Sequence, residues 1–142
     1  METLTVKITN KRPEIARLSG IIEEFMDTND VPMSVSFAID LALDELLTNV
    51  ISYGFPPEES HFIDVTIELT EEEVSVQIID DGLAFNPLEQ DEADTTLSID
   101  EREIGGLGIH LVKKTMNSIE YQRTDNKNIL TLKKALSNVL ED

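Results

Sequence analysis

The chain has no cysteine in its 142 residues, which removes a disulfide framework, a thiol nucleophile and the thiolate-rich zinc sites. That composition is compatible with a reducing compartment. Basic residues are scarce as well: 11 Lys and Arg stand against 29 Asp and Glu, for a formal net charge of −18. A surface of that charge repels polyanions, and no basic face with interleaved aromatics offsets it, so direct nucleic-acid binding is not expected. Whether the acidity serves a basic partner or only keeps the protein soluble stays open. No apolar run reaches the roughly 18 residues of a membrane span. Met1 to Asn10 also lacks the basic and apolar regions of a secretory signal, so the expectation is a cytoplasmic protein without membrane contact. His61 and His110 are the only histidines, too few for a histidine metal site, and both read as incidental. Gly-x-Ser-x-Gly, Walker A and dinucleotide-type glycine spacings are all missing.

What is present suits one domain, residues 1–142, with 40% hydrophobic content to build a core. Leu4, Val6 and Ile8 alternate with polar residues, the period of a strand with one buried face. Ile15, Leu18, Ile21, Ile22 and Phe25 form a helical stripe behind Pro13, and Asn29-Asp30 ends it. A longer helix is predicted from Pro32 to Tyr53, with Val35, Ile39, Leu43, Leu46 or Leu47 and Val50 facing inward and Gly54 as its left-handed terminator. Phe62 to Leu69 and Val74 to Ile79 alternate as strands around Glu71-Glu72-Glu73. Leu88 to Ile104 has almost no periodicity, a long connection for so small a domain. A third helix opens at Gly105-Gly106-Leu107-Gly108, and Ser118 to Arg123 should pair with Ile129 to Lys133 across Asp125-Asn126-Lys127-Asn128. This order predicts an α+β fold, a mostly antiparallel sheet with helices on one face.

Three groups of residues can carry chemistry. Glu45 and Asn49 lie one helical turn apart on one face, where a carboxylate and an amide oxygen can hold Mg²⁺ and its waters, although a solvated helix face gives the same pattern. Asp80-Asp81-Gly82 delivers acids to a strand end, either as a plain turn or to accept a hydrogen bond from an exocyclic amine such as that of adenine. Gly105, Gly106 and Gly108, three of the six glycines, precede an apolar helix, where bare backbone amides suit a polyphosphate and equally a hinge. Tyr53 and Phe55 are expected to pack rather than bind.

Taken together and in this order, Asp44-Glu45-Leu46-Leu47-Thr48-Asn49, Asp80-x-Gly82 and Gly105-Gly106-Leu107-Gly108-Ile109-His110-Leu111-Val112 resemble the Bergerat-fold ATPases over nearly the whole chain. That superfamily contains gyrase, the ninety-kilodalton heat-shock chaperone, histidine kinases and mismatch-repair proteins. Within it the chain most resembles bacterial anti-sigma regulatory factors, small serine/threonine kinases. The resemblance implies a two-layer α/β sandwich, ATP and Mg²⁺ as cofactors, and phosphorylation of a STAS-type anti-sigma-factor antagonist in a partner-switching pathway. It further implies a sigma factor as a second partner and a homodimer. Glu45 would be the catalytic base, Asn49 the metal ligand, and Asp80 the reader of adenine, with Gly82 letting the base approach the backbone. Gly105, Gly106, Leu107 and Gly108 would flank the phosphates, beneath a lid at about 88–104. Arg102, the one basic residue of that lid, would contact the γ-phosphate, among seven acids from Glu89 to Glu103. Ala84 occupies the place of the second glycine in the common Asp-x-Gly-x-Gly pattern and is assigned to the nucleotide site with it. A nucleotide-gated module that sequesters a sigma factor without efficient phosphotransfer is the alternative.

Overall fold

The computed structural model describes residues 1–56, 58–89 and 104–136, with the side chains of the third helix described from His110 onward. The elements run β1 (Glu2–Thr9), α1 (Pro13–Thr28), α2 (Met33–Gly54), β2 (Phe62–Leu69), β3 (Glu73–Asp80), a 3-10 turn (Pro87–Glu89), α3 (Ile104–Thr115), β4 (Ser118–Thr124) and β5 (Lys127–Ala135). The five strands form one sheet in the order β1-β2-β3-β5-β4, and every neighbouring pair is antiparallel. The fold is α+β, as the element order predicted.

Alternation decides which face of the sheet is covered. Val6 and Ile8, then Ile63, Val65 and Ile67, then Val74, Val76 and Ile78, and finally Leu130 and Leu132 all point to one side and are buried. On that side they meet Leu18, Ile22 and Met26 of α1 and Ile39, Leu43, Leu46, Leu47 and Val50 of α2. Each fully buried aliphatic side chain contributes about 1.5–3 kcal/mol, which makes this interface the main source of stability. The other side of the sheet carries exposed Thr3, Thr5, Lys7 and Gln77. No described helix is long and apolar enough to cross a membrane.

Helix ends follow local chemistry, with one departure from expectation. After α1, Asp30 takes a left-handed φ of 56° while its N–H reaches Asp27 O and that of Val31 reaches Met26 O. This is a Schellman closure, as Asn29-Asp30 suggested. At the end of α2, however, Gly54 is the last helical residue rather than a left-handed terminator, and no described glycine has a positive φ. Phe55 leaves the helix in an extended conformation, φ −136° and ψ 143°. The physical cause is Pro56, whose ring drives the preceding residue out of the helical region.

A second correction concerns the last hairpin. The connection is only Asp125-Asn126, both with left-handed φ of 52° and 62°, the two-residue turn whose twist matches that of the flanking strands. Lys127 and Asn128 therefore belong to β5, paired with Thr124 and Arg123. The shift places Asn128 on the buried face, in step with Leu130 and Leu132.

Candidate functional site

The site lies where the C-terminal half of α2 meets the ends of β3 and β5. On α2, Asn49 is buried to 3% exposure while Glu45 is half-buried one turn earlier. The Asn49 Nδ2 donates to the backbone O of Glu45 at 3.0 Å and reaches Glu45 Oε2 at 3.4 Å. Both bonds use the amide nitrogen, so Asn49 Oδ1 has no donor among the described residues. A buried carbonyl oxygen without a donor costs free energy unless a ligand, water or cation meets it. The donor set thus fits a Mg²⁺ ion or one of its waters, which take oxygen ligands. Burial pushes the Glu45 carboxyl above the usual carboxylate range, and the Asn49 amide opposes that shift. A solvated helix face does not describe this pair, because one of its members is in the core.

Asp80 ends β3 on the covered side of the sheet, two residues after Ile78, and only 4% of it is exposed. Its Oδ1 accepts from Gly82 N at 2.9 Å and from Asn128 Nδ2 at 3.0 Å. Burial again raises the carboxyl pKa, opposed first by the Asn128 donor and then by Gly82. Gly82 sits against α2: a Cβ there would lie 2.4 Å from Gly54 O and 3.0 Å from the Phe55 ring. What excludes a side chain at Gly82 is therefore the end of α2, a contact within the protein. The next amide, Leu83 N, donates to that same Gly54 O at 2.8 Å and so satisfies a helix-end carbonyl. Ala84 is exposed on this turn. Phe85 packs on Tyr53, which is half exposed, with ring centroids 5.7 Å apart, and Phe55 is buried.

Two residues in this neighbourhood escaped sequence reasoning. Asn128 is buried to 5% and bonds both Asp80 and the turn after it. The signal was its two-residue step from Leu130, which the misplaced turn concealed. His61 is not incidental: its Nδ1 lies 2.9 Å from Asp81 Oδ1, its Nε2 lies 2.8 Å from Glu59 Oε1, and its ring lies 4.9 Å from that of Phe55. The Glu59 carboxylate, and after it Asp81, raise its pKa above the ordinary 6.5. A histidine fixed between two acids had no sequence signal, because Glu59 and Asp81 meet it from different loops.

The glycines Gly105, Gly106 and Gly108, with Leu107, lie in the first turns of α3, whose backbone packs against α2. Arg102 and the stretch 90–103 of the expected lid fall outside the described residues. No group of three or more acidic or histidine side chains able to hold a metal occurs among the described residues, so Asn49 is the metal candidate that remains. A separate groove of about 520 Å³ opens between α1 and α2 beside Ile15, Phe37, Asp40 and Asp44, and neither Asn49 nor Asp80 lines it.

Comparison with known proteins speaks to the family and the fold. The chain is 36% identical over 96 residues to the serine/threonine-protein kinase BtrW of Bordetella bronchiseptica, spanning 68% of each chain. It is 28% identical over 124 residues to an anti-sigma F factor of Clostridium perfringens, covering 87% of this chain and 81% of that one. Among solved structures, the RsbU and RsbW domains of Rv1364c from Mycobacterium tuberculosis superpose with a TM-score of 0.70 at 16% identity. That match covers 97% of this chain and 33% of the other, and speaks for the fold alone. The histidine kinase-like ATPase domain profile matches residues 8–134, nearly the whole chain, and the protein belongs to that family.

Proposed function

We propose that this protein is an ATP- and Mg²⁺-dependent serine/threonine kinase that phosphorylates a STAS-type anti-sigma-factor antagonist in the cytoplasm, with a sigma factor as its other partner. One observation carries the reading: Glu45, with its pKa raised by burial, stands beside a buried Asn49 whose Oδ1 awaits a ligand. The kinase and anti-sigma names of the relatives support the substrate and partner classes.

Phosphoryl transfer is mostly positioning and charge stabilisation. Mg²⁺ held through Asn49 would neutralise charge on the phosphates. Asp80 accepts the exocyclic amine of adenine, and the backbone at Gly105, Gly106 and Gly108 lies on the phosphate side. Glu45 takes the proton of the partner's hydroxyl as its oxygen attacks the γ-phosphorus, and the bond from that phosphorus to the bridging oxygen breaks, releasing ADP. Burial, which raises the Glu45 pKa, makes its carboxylate a stronger base. The product brings nearly two negative charges against a chain of −18, which drives the modified partner away.

The test is transfer of labelled γ-phosphate to the antagonist by wild type, Glu45→Gln and Asn49→Ala. We expect Glu45→Gln to lose about 100-fold or more in rate with ATP binding retained, as general-base removal does. A Glu45→Gln protein as fast as wild type would refute the kinase reading. The anti-sigma F names, which describe binding, favour a second reading, a nucleotide-gated module that holds a sigma factor. In that case nucleotide-dependent capture of the partner survives in Glu45→Gln while wild type shows no transfer.

A further inference from the structure

Among the described residues, Asn128 joins three strands and the turn after β3. Its Nδ2 donates to Asp80 Oδ1 at 3.0 Å and to Leu83 O at 2.8 Å. Its Oδ1 accepts from the Tyr121 hydroxyl, from Arg123 Nη1 at 3.1 Å and from Phe85 N at 3.4 Å. Arg123 Nη1 also donates to Gly82 O at 2.9 Å, so β4 grips the same turn directly. Tyr121 and Arg123 alternate on one face of β4, and Asn128 pairs in register with Arg123 on one side and Asp80 on the other.

These partners permit one orientation of the amide. Turned over, its carbonyl would face the Asp80 carboxylate and the Leu83 carbonyl, while its NH₂ would face a hydroxyl and a guanidinium. Asp80 Oδ1 is consequently saturated by Asn128 Nδ2 and Gly82 N, and Asp80 Oδ2 has no donor among the described residues although the residue is only 4% exposed. A buried acceptor held in that state calls for an N–H from a ligand.

We propose that Asn128 is a positioning residue which, by occupying Asp80 Oδ1, reserves Oδ2 for the exocyclic amine of a purine and so makes the site select a 6-amino base. This rests on the nucleotide reading above. The Asn128 donor also favours the ionised carboxylate, the form that accepts from an amine.

The experiment is calorimetric titration of the Mg²⁺ complexes of ATP and of purine riboside triphosphate, which lacks the 6-amino group. Wild type, Asn128→Ala and Tyr121→Phe are compared, each checked for a native melt. Wild type should prefer ATP by about 10- to 100-fold, the range for one hydrogen bond to a charged group. In Asn128→Ala that preference should fall to within about 3-fold, through loss of ATP affinity with the analogue unchanged. Tyr121→Phe loosens Asn128 from behind and should narrow the preference in the same direction, which keeps the test alive if Asn128→Ala does not fold. Equal losses for both nucleotides would show a purely structural Asn128 and overturn the proposal. So would a wild type that binds both alike, or a Tyr121→Phe variant whose preference matches wild type. Failure of wild type to bind either nucleotide would instead remove the nucleotide reading and this inference with it.

Discussion

Gly82 and Asp80 show opposite relations between a residue and the stability of its site. At Gly82 any side chain collides with Gly54 O, whose position is set by the last turn of α2, and no flexible group stands there to give way. Gly82→Ala should destabilise the protein by about 1–3 kcal/mol, the usual cost of overpacking, and a thermal melt measures it. Asp80 is costly where Gly82 is necessary. Its folded-state pKa is raised above the ordinary 3.8, so the folded chain binds the proton more tightly and stability falls as pH rises from that value through the raised one. The ionised form of this carboxyl is thus unfavourable to folding. Asp80→Asn can keep the acceptor at Oδ1 for Gly82 and Asn128, and should melt at the same temperature as wild type or higher. The amide would then present NH₂ to the ligand's amine, donor against donor, and ATP affinity should drop about 10-fold or more. A parallel loss of melting temperature and affinity would contradict this account.

Among elements, the β4–β5 hairpin matters beyond its length. It ends the sheet, and it also supplies Tyr121, Arg123 and Asn128 to the turn that follows β3. Its two-residue connection places two non-glycine residues in left-handed conformations, which L-residues adopt at a cost that Asn bears best and Gly avoids. Replacing Asp125-Asn126 by Asn-Gly should stabilise the protein by roughly 0.5–1 kcal/mol without touching the site. Denaturant midpoints would record the gain, and an unchanged nucleotide affinity would show that the turn acts through register alone. α2 plays the complementary part. Its apolar face holds the core, its Glu45-Asn49 turn carries the proposed catalytic pair, and its last carbonyl receives Leu83 N, so one helix links the two halves of the proposed site.

At the scale of the whole molecule, charge and its titration dominate. Asn10 ties the loop before β2 to the end of β1, its Nδ2 donating to Glu59 O and its Oδ1 accepting from His61 N, and His61 in turn reaches Asp81. Only the imidazolium can donate to Glu59 and Asp81 at once. Because its folded pKa is raised, this contribution is complete below the ordinary 6.5 and is lost as pH climbs through the raised value. Melting temperature followed from pH ~6 to ~9 should therefore fall more steeply for wild type than for His61→Ala, and identical slopes would exclude the bridge. Self-repulsion in a chain of −18 points the same way for salt: added sodium chloride should raise the melting temperature by screening.

Much of this was legible along the chain because it is local. Apolar residues at period two and period 3.6 identified the first three strands and the helices, since those periods report which side of an element meets the core, and turn residues identified the last hairpin. Glu45 and Asn49 were legible as a pair because a helix brings residues four apart together whatever surrounds it. Asp80 was legible as an acid at a strand end. The order of these motifs sufficed for the family, because each must sit at a defined place on one sheet and one helix. Depth and partnership were not local. Asn49 and Asp80 are buried only because the sheet folds under α2, and Gly82 is required by a carbonyl 28 positions earlier. Asn128 meets Asp80 from 48 positions away, and His61 meets Asp81 from 20. Such contacts are written in no short stretch of sequence, since chain topology alone brings their partners within hydrogen-bonding distance.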